Sequence, residues 1–186
     1  MNIGFAMCGS FCTFSQVFPV MKTVAEEHRL IPILSPVSCA TDTRFGKAAE
    51  HIRTIQEICG TAPLYTIEQV EPIGPKKLLD ALIIAPCTGN TLAKLAHSIA
   101  DTSVTMAAKS HLRNGRPILI AVSTNDALAG AAENIGKLLA RKHYYFVPFG
   151  QDDVQKKPTS MVADFTMIPR ALNAAIEGKQ LQPILV

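Results

Sequence analysis

The sequence APCTGNTLAKLA at residues 85–96 decides which fold we expect for this chain. It follows residues 79–84, an apolar run of the kind that fills a buried parallel strand. Pro86 has no backbone donor for a ladder and is therefore expected to end that strand. Apolar residues recur at helical spacing from Leu92 onward. The stretch thus predicts a buried strand, a polar turn and a helix.

The polar turn, residues 88–91, combines two hydroxyls, an amide and a glycine. Turns that lead from a strand end to a helix N-terminus bind anionic or polar ligands in α/β sheets. Thr88 or Asn90 could equally act as a simple cap of the following helix. The turn by itself leaves a ligand site and a helix cap as alternatives.

On both sides of this stretch, strand patterns alternate with helical patterns. The predicted strands are residues 3–7, 30–34, 62–66, 79–84, 117–122 and 143–149. The predicted helices are residues 13–27, 47–59, 92–99, 104–112, 127–141 and 161–177. Strands joined by helical crossovers form parallel sheets. We therefore predict an α/β fold, namely a single doubly wound, Rossmann-like three-layer domain over residues 1–186 with a six-stranded, mainly parallel sheet.

Small polar residues follow several of these strands, and parallel topology brings them to one edge of the sheet. They lie at residues 9–10, 35, 88–91 and 123–126. Ligands of doubly wound sheets bind along this edge. No acid at the end of the second strand is available to bind a ribose, so an ordinary dinucleotide site is disfavoured and a mononucleotide phosphate fits better. Gly9 and Ser10 could cradle that phosphate or form a plain tight turn.

One loop at the same edge, residues 41–46 (TDTRFG), contains a single arginine. The Arg44 guanidinium could bind a carboxylate in a bidentate manner. It could also pair with Asp42 at the surface. The sequence alone leaves both interpretations open.

Composition excludes several function classes. The 186 residues are 48% hydrophobic with a net charge of +3. The sequence has no basic stripe with interleaved aromatics, so a nucleic-acid partner is not expected. No apolar run approaches the roughly 20 residues of a membrane span. The five cysteines are odd in number and lack a CxxC pair, which indicates reduced, cytoplasmic thiols and no metal site.

The motif at residues 85–94, together with IAD at residues 99–101, resembles the signature of the flavoprotein family of homo-oligomeric FMN-binding proteins. That signature is A-P-x-[ST]-x-N-T-x-A-K followed by I-A-D. The family includes peptidyl-cysteine and phosphopantothenoylcysteine decarboxylases and flavin prenyltransferases. The resemblance implies FMN as the cofactor and a homo-oligomer. The cofactor-binding residues that it implies are Gly9, Ser10, Ser35, Pro86, Thr88, Asn90, Thr91 and Ser123.

Further segments, residues 41–47, 112–117, 123–128 and 146–153, resemble the dipicolinate synthase branch of this family from spore-forming bacteria. This closer resemblance implies oxidation of dihydrodipicolinate to dipicolinate in the mother-cell cytoplasm during sporulation. It also implies a partner, the A subunit of dipicolinate synthase, which looks like an NAD(P)-binding protein.

The dianionic small-molecule substrate implied by this branch needs counter-charges. Arg44 and Lys94 are the candidates for that role, together with Arg113, and Asn125 is a candidate hydrogen-bonding group. None of these residues is thereby assigned a catalytic role.

Two departures from the decarboxylase branch leave the chemistry open. The chain has STND at residues 123–126 where that branch has P-x-M-N-x-x-M, and residues 35–46 contain no histidine. Three functions remain: an FMN-dependent oxidoreductase subunit, a non-redox subunit that shapes its partner's active site, and a decarboxylase or flavin-modifying transferase. Cys87 is either a covalent nucleophile or a packing residue, and Asp101 is either a helix cap or catalytic.

Overall fold

The computed structural model describes residues 1–186 and contains one seven-stranded sheet. The strands are β1 (Asn2–Met7), β2 (Arg29–Leu34), β3 (Ala81–Cys87), β4 (Ile118–Thr124), β5 (Tyr144–Phe146), β6 (Phe149–Gly150) and β7 (Met161–Ala163). The helices are α1 (Phe14–Glu27), α2 (Pro36–Ala40), α3 (Ala48–Cys59), α4 (Ile67–Val70), α5 (Gly89–Ala96), α6 (Ser103–Leu112), α7 (Ala132–Leu139) and α8 (Ile168–Ile176). Short 3₁₀ turns lie at Phe11–Thr13, Glu71–Ile73 and Phe165–Met167.

The first five strands form the doubly wound part of the sheet. β1 pairs in parallel with β2 and β3, and β4 pairs in parallel with β3 and β5. The resulting spatial order is β2-β1-β3-β4-β5. The five strands are parallel, and the order in which the chain adds them changes sides between β1 and β3. Ligands of such sheets bind beyond the carboxyl ends at this switch point. The predicted α/β, doubly wound architecture is confirmed.

Helices cover both faces of the sheet. α1 contacts α3 and α8, whereas α5 contacts α6 and α7, and members of both groups pack on β3. A core cluster of 47 buried residues fills the two interfaces. Because β3 is covered on both sides, all of its residues are buried, which explains its continuous apolar sequence.

The sheet has seven strands where six are predicted because residues 62–66 form no strand, residues 161–163 form one, and residues 143–149 divide into two. Residues 62–66 contribute only a single bridge, between Leu64 and Ile33 at the end of β2. Residues 161–163 form strand β7, which was expected to be helix, and β7 pairs antiparallel with β6 and with the end of β4. The last helix begins only at Ile168, and Pro169 lies in its first turn. Proline is tolerated there because backbone amides of the first turn have no acceptor within the helix.

Three further boundaries differ from expectation. Strand β3 continues through Pro86, in a cis peptide bond with Ala85, to Cys87, since the Pro86 carbonyl accepts a hydrogen bond from the Cys8 amide at 3.2 Å. Residues 143–149 divide into β5 and β6 around Pro148, which has no donor for a ladder. Helix α7 begins at Ala132 because the Asp126 carbonyl accepts from the amides of Ala129 and Ala131 in a preceding turn.

Two glycines with open space around their Cβ positions should respond oppositely to alanine. Gly60 ends α3 in the left-handed region (φ 66°), as its position after the helix predicts, and Gly136 lies within α7. Gly60→Ala should lower the free energy of unfolding by about 1 kcal/mol because a Cβ strains this conformation. Gly136→Ala should raise it by about 0.5–1 kcal/mol through helix propensity. Urea denaturation measures both, and shifts of the same sign would contradict this interpretation.

Candidate functional site

The polar turns after β1, β2, β3 and β4 meet at the carboxyl edge of the sheet and border two adjacent clefts. The larger cleft, about 940 Å³, lies between the turns after β1 and β4 and is flanked by residues 43–45 and 152–162. The smaller cleft, about 320 Å³, lies between the turns after β1, β2 and β3. Gly9 and Thr88 line both clefts, so the two clefts adjoin across the switch point.

A pair of hydroxyls joins the ends of β1 and β4. The Oγ atoms of Ser10 and Ser123 lie 2.8 Å apart and hydrogen-bond. Ser123 is buried and Ser10 is half-buried, so each hydroxyl is oriented by the other at the wall of the larger cleft. Folding therefore brings together two predicted cofactor-binding residues that lie 113 positions apart in sequence.

Ser35 and Thr88 each begin a helix at the smaller cleft. The Ser35 Oγ accepts from the Ser38 amide at 3.2 Å and caps α2. The Thr88 Oγ1 accepts from the Thr91 amide at 3.4 Å and caps α5. The helix-cap interpretation of the central turn is thus correct for Thr88, and both caps also line the cleft.

Asn90 and Thr91 occupy different positions on α5. Asn90 is exposed and lines the smaller cleft, which leaves its amide free to meet a ligand. Thr91 is buried, and its hydroxyl donates to the Cys8 sulfur at 3.3 Å. Of the two, Asn90 has the unengaged side chain.

A side chain at position 9 would have very little room, because Gly9 lies close to helix α2. A Cβ at Gly9 would lie 3.0 Å from Cγ1 of Val37, which itself is exposed beside the cleft. The backbone of the turn can therefore approach a ligand closely, as a phosphate-binding turn requires.

Arg44 lies at the larger cleft without an acidic partner. Its guanidinium stacks on the ring of Phe45, with the Cζ atom 4.8 Å from the ring centroid, and it forms no ion pair. The expected alternative, a pair with Asp42, is wrong, because the Asp42 carboxylate accepts from the Ala48 amide at 2.9 Å. Asn125 lines the same cleft with an exposed side chain, while its carbonyl accepts from the Thr159 hydroxyl.

The turn that carries Arg44 rests on a buried histidine. A Cβ at Gly46 would lie 2.6 Å from Cε1 of His51. The His51 ring packs against Phe11, Phe14 and Phe18, and burial lowers the pKa of this imidazole. The packed His51 ring thus lies directly against the turn at Gly46.

Lys94 lines the smaller cleft but is already paired. Its Nζ lies 2.8 Å from Asp101, and this hydrogen bond lowers the pKa of the Asp101 carboxyl. Asp101 does not cap α6, because Thr102 occupies the cap position and accepts from the Thr105 amide. The expectation of Asp101 as the helix cap is therefore wrong.

The cysteines at the ends of β1 and β3 are both buried. Burial raises the pKa of the Cys87 thiol well above its usual range, whereas a hydrogen bond from Cys87 lowers that of Cys8. A nucleophilic thiol needs a lowered pKa and access to substrate. Cys87 has neither, so the structure favours packing as its role.

Pro86 and Arg113 lie outside both clefts. Pro86 is buried within the sheet, and Arg113 lines a separate cavity beside α6. The other predicted site residues each line at least one of the clefts, namely Gly9, Ser10, Ser35, Thr88, Asn90, Thr91, Ser123, Arg44, Lys94 and Asn125.

The segment between β6 and β7 contributes cleft residues that the sequence pattern did not predict. Asp152, Lys157 and Ser160 line the larger cleft, and Lys157 Nζ lies 3.2 Å from the Asp152 carboxylate. The sequence signal that could have corrected the helix predicted from residue 161 is Pro169. Proline favours the first turn of a helix, so Pro169 indicates that the last helix begins close to residue 168. Residues 161–163 were thereby free to form a strand.

Neither a metal centre nor a helix that could span a membrane is found in the structure. No group of three or more His, Cys, Asp or Glu side chains is arranged to bind a metal ion. None of the helices combines the length and apolar character that crossing a bilayer requires.

Comparison with protein families matches the flavoprotein model to residues 3–163. The chain belongs to the flavoprotein family. Among flavoproteins it is 43% identical to the B subunit of dipicolinate synthase from Bacillus subtilis (strain 168) over 186 residues, which are 100% of this chain and 93% of that protein. The predicted family and its closer branch are thereby confirmed.

Solved flavoprotein structures agree with this assignment. The crystal structure of the B subunit of dipicolinate synthase from Bacillus halodurans C superposes with a TM-score of 0.91 at 41% identity, covering 100% of this chain and 95% of that one. Burkholderia xenovorans DmrB in complex with FMN superposes with a TM-score of 0.68 at 16% identity, covering 95% of each chain. The latter likeness concerns the fold alone.

Proposed function

We propose that this chain is the FMN-holding subunit of a dipicolinate synthase. With a second subunit it would oxidise dihydrodipicolinate to dipicolinate, pyridine-2,6-dicarboxylate. The observation that carries the proposal is the 43% identity to the B subunit of dipicolinate synthase along the whole chain. The paired clefts at the switch point support it, because they join turns suited to a phosphate to an unpaired arginine.

The chemistry requires a cofactor. Aromatisation of a dihydropyridine removes two electrons as a hydride and releases a proton, and no side chain accepts a hydride. FMN, when bound, supplies a two-electron acceptor. The second subunit, by its resemblance to NAD(P)-binding proteins, is the alternative destination of the hydride.

The residues of the clefts fit FMN. Gly9 allows close approach of the backbone, and the Ser10 hydroxyl is oriented by Ser123 at 2.8 Å. These two residues, with Ser35 at the start of α2, would hold the phosphate. Asn90 and Thr88 would hydrogen-bond the remainder of the cofactor from the start of α5.

The substrate carries two carboxylates, and Arg44 is the counter-charge that we propose for one of them. It has no acidic partner and faces the larger cleft, so its charge is available to a ligand. Lys94 offers less, because Asp101 already neutralises it at 2.8 Å. Asn125 would add a neutral hydrogen bond at the same cleft.

The decarboxylase and transferase alternatives receive less support from the site. No histidine is among the residues that line the two clefts, and Cys87 is buried with a raised thiol pKa. From the likeness to the B subunit of dipicolinate synthase we infer that a partner subunit is required for turnover. We also infer a homo-oligomer in the mother-cell cytoplasm, as for the family branch that the sequence resembles.

A visible absorption spectrum of the purified chain, recorded before and after FMN addition and followed by gel filtration, tests the proposal. We expect a flavin spectrum that co-elutes with the protein, and dihydrodipicolinate oxidation once the second subunit is added. Absence of bound flavin together with turnover in the two-subunit complex would contradict the FMN-holding role. That outcome would assign the chain the non-redox, partner-shaping role instead.

A further inference from the structure

A third cavity, separate from the two clefts, lies between the end of α5, one face of α6 and the turn before β5. Its volume is about 420 Å³, within the usual range for sites of small organic molecules. Leu95, Leu112 and Tyr144 supply apolar surface to it. The cavity can therefore hold a compact ligand with an apolar body.

The charged residues of this cavity are all cationic. Lys109, Arg113 and Arg141 line it, and the lining contains no carboxylate. None of the three takes part in an ion pair. Lys109 and Arg113 lie one helical turn apart at the end of α6, where like charges repel. A bound anion would relieve this repulsion.

One of the cations is held in a fixed orientation. The Arg141 guanidinium donates to the carbonyls of Leu95 at 3.1 Å and Ala96 at 2.7 Å, at the end of α5. A guanidinium held by backbone acceptors loses little further entropy when it binds a carboxylate. Arg141 therefore supplies a preorganised donor beside the apolar surface.

We propose that this cavity binds a small aromatic carboxylate, with the ring on Leu112 and Tyr144 and the carboxylate among Lys109, Arg113 and Arg141. The combination of apolar wall and unpaired cations selects this class over an inorganic anion, which has no apolar body. The site itself is independent of flavin binding. Only the preference for a 1,3-related dicarboxylate, the geometry of the proposed reaction product, rests on the proposed function.

Titration with isophthalate, followed by the methyl NMR signal of Ile99, tests the proposal. Ile99 lines this cavity and not the clefts, and its signal is assigned through Ile99→Val. We expect a saturable shift with isophthalate and none with inorganic phosphate at equal concentration. The double variant Lys109→Gln/Arg113→Gln should bind about tenfold more weakly, since exposed charges each contribute modestly.

The double variant Lys22→Gln/Arg53→Gln is the matched control, because it removes two exposed, unpaired charges outside every cavity described here. It should bind isophthalate like the unaltered chain. No movement of the Ile99 signal, or equal affinity in the Lys109→Gln/Arg113→Gln variant, would overturn the proposal. A shift that persists in protein unable to bind FMN would uphold this site while the proposed function failed.

Discussion

Gly9→Val is expected to raise the Kd for FMN about a hundredfold, since the loss of a phosphate cradle removes several charge-assisted hydrogen bonds. A Cβ at this position already lies 3.0 Å from Val37, so the branched side chain would push the turn after β1 away from α2. The backbone amides of the turn would then miss the phosphate. Flavin fluorescence quenching during titration measures the Kd.

The matched control for this change is Gly136→Val. Gly136 lies in α7, and nothing lies within 4 Å of its Cβ position. It should leave the Kd for FMN unchanged. If Gly9→Val unfolds the chain, Ser10→Ala tests the same turn by removing only the hydroxyl that pairs with Ser123. Unaltered FMN affinity in a folded Gly9 or Ser10 variant would place the phosphate elsewhere.

Arg44→Gln should lower kcat/KM for dihydrodipicolinate about a hundredfold in the two-subunit complex, the scale expected for loss of a charge-assisted carboxylate contact. Most of the change should appear in KM, because the guanidinium would bind substrate and transition state alike. Flavin content should stay constant, since Arg44 lines only the larger cleft. Steady-state kinetics and the flavin absorbance of the same preparation measure both quantities.

Arg53→Gln is the control for this prediction. Arg53 is an exposed arginine on α3 that lines neither cleft. The substitution removes the same charge from an exposed position outside the clefts. Equal kinetic effects of the two substitutions would indicate a long-range field, and unchanged kinetics of Arg44→Gln would remove Arg44 from the substrate site.

The doubly wound framework of strands and helices could be predicted from the sequence because its signals are local. Buried parallel strands such as β3 and β4 are continuous apolar runs, and the helices between them repeat their apolar residues at helical spacing. The turn after β3 was equally legible, since its threonine, glycine and asparagine follow a strand directly. The family resemblance came from the same stretch, and the flavoprotein match confirmed it.

The short strands were not accessible because their pairing is non-local. β6 and β7 contain two and three residues, too few for a periodic pattern, and they form through pairing with each other and with β4. Their pairing brings the intervening segment, with Asp152 and Lys157, to the larger cleft. The local sequence pattern therefore does not predict that this segment lies at the larger cleft.

The sequence by itself therefore determined the doubly wound framework, the edge of the sheet that holds the clefts, and ten of the residues that line them. Tertiary structure alone decided which of their polar groups are engaged. Asp101 neutralises Lys94, Asp42 caps a backbone amide and leaves Arg44 free, and Arg113 joins a different cavity. The physical reason is that strand and helix patterns follow from neighbours along the chain, whereas the charge that a side chain presents depends on partners brought together only by folding.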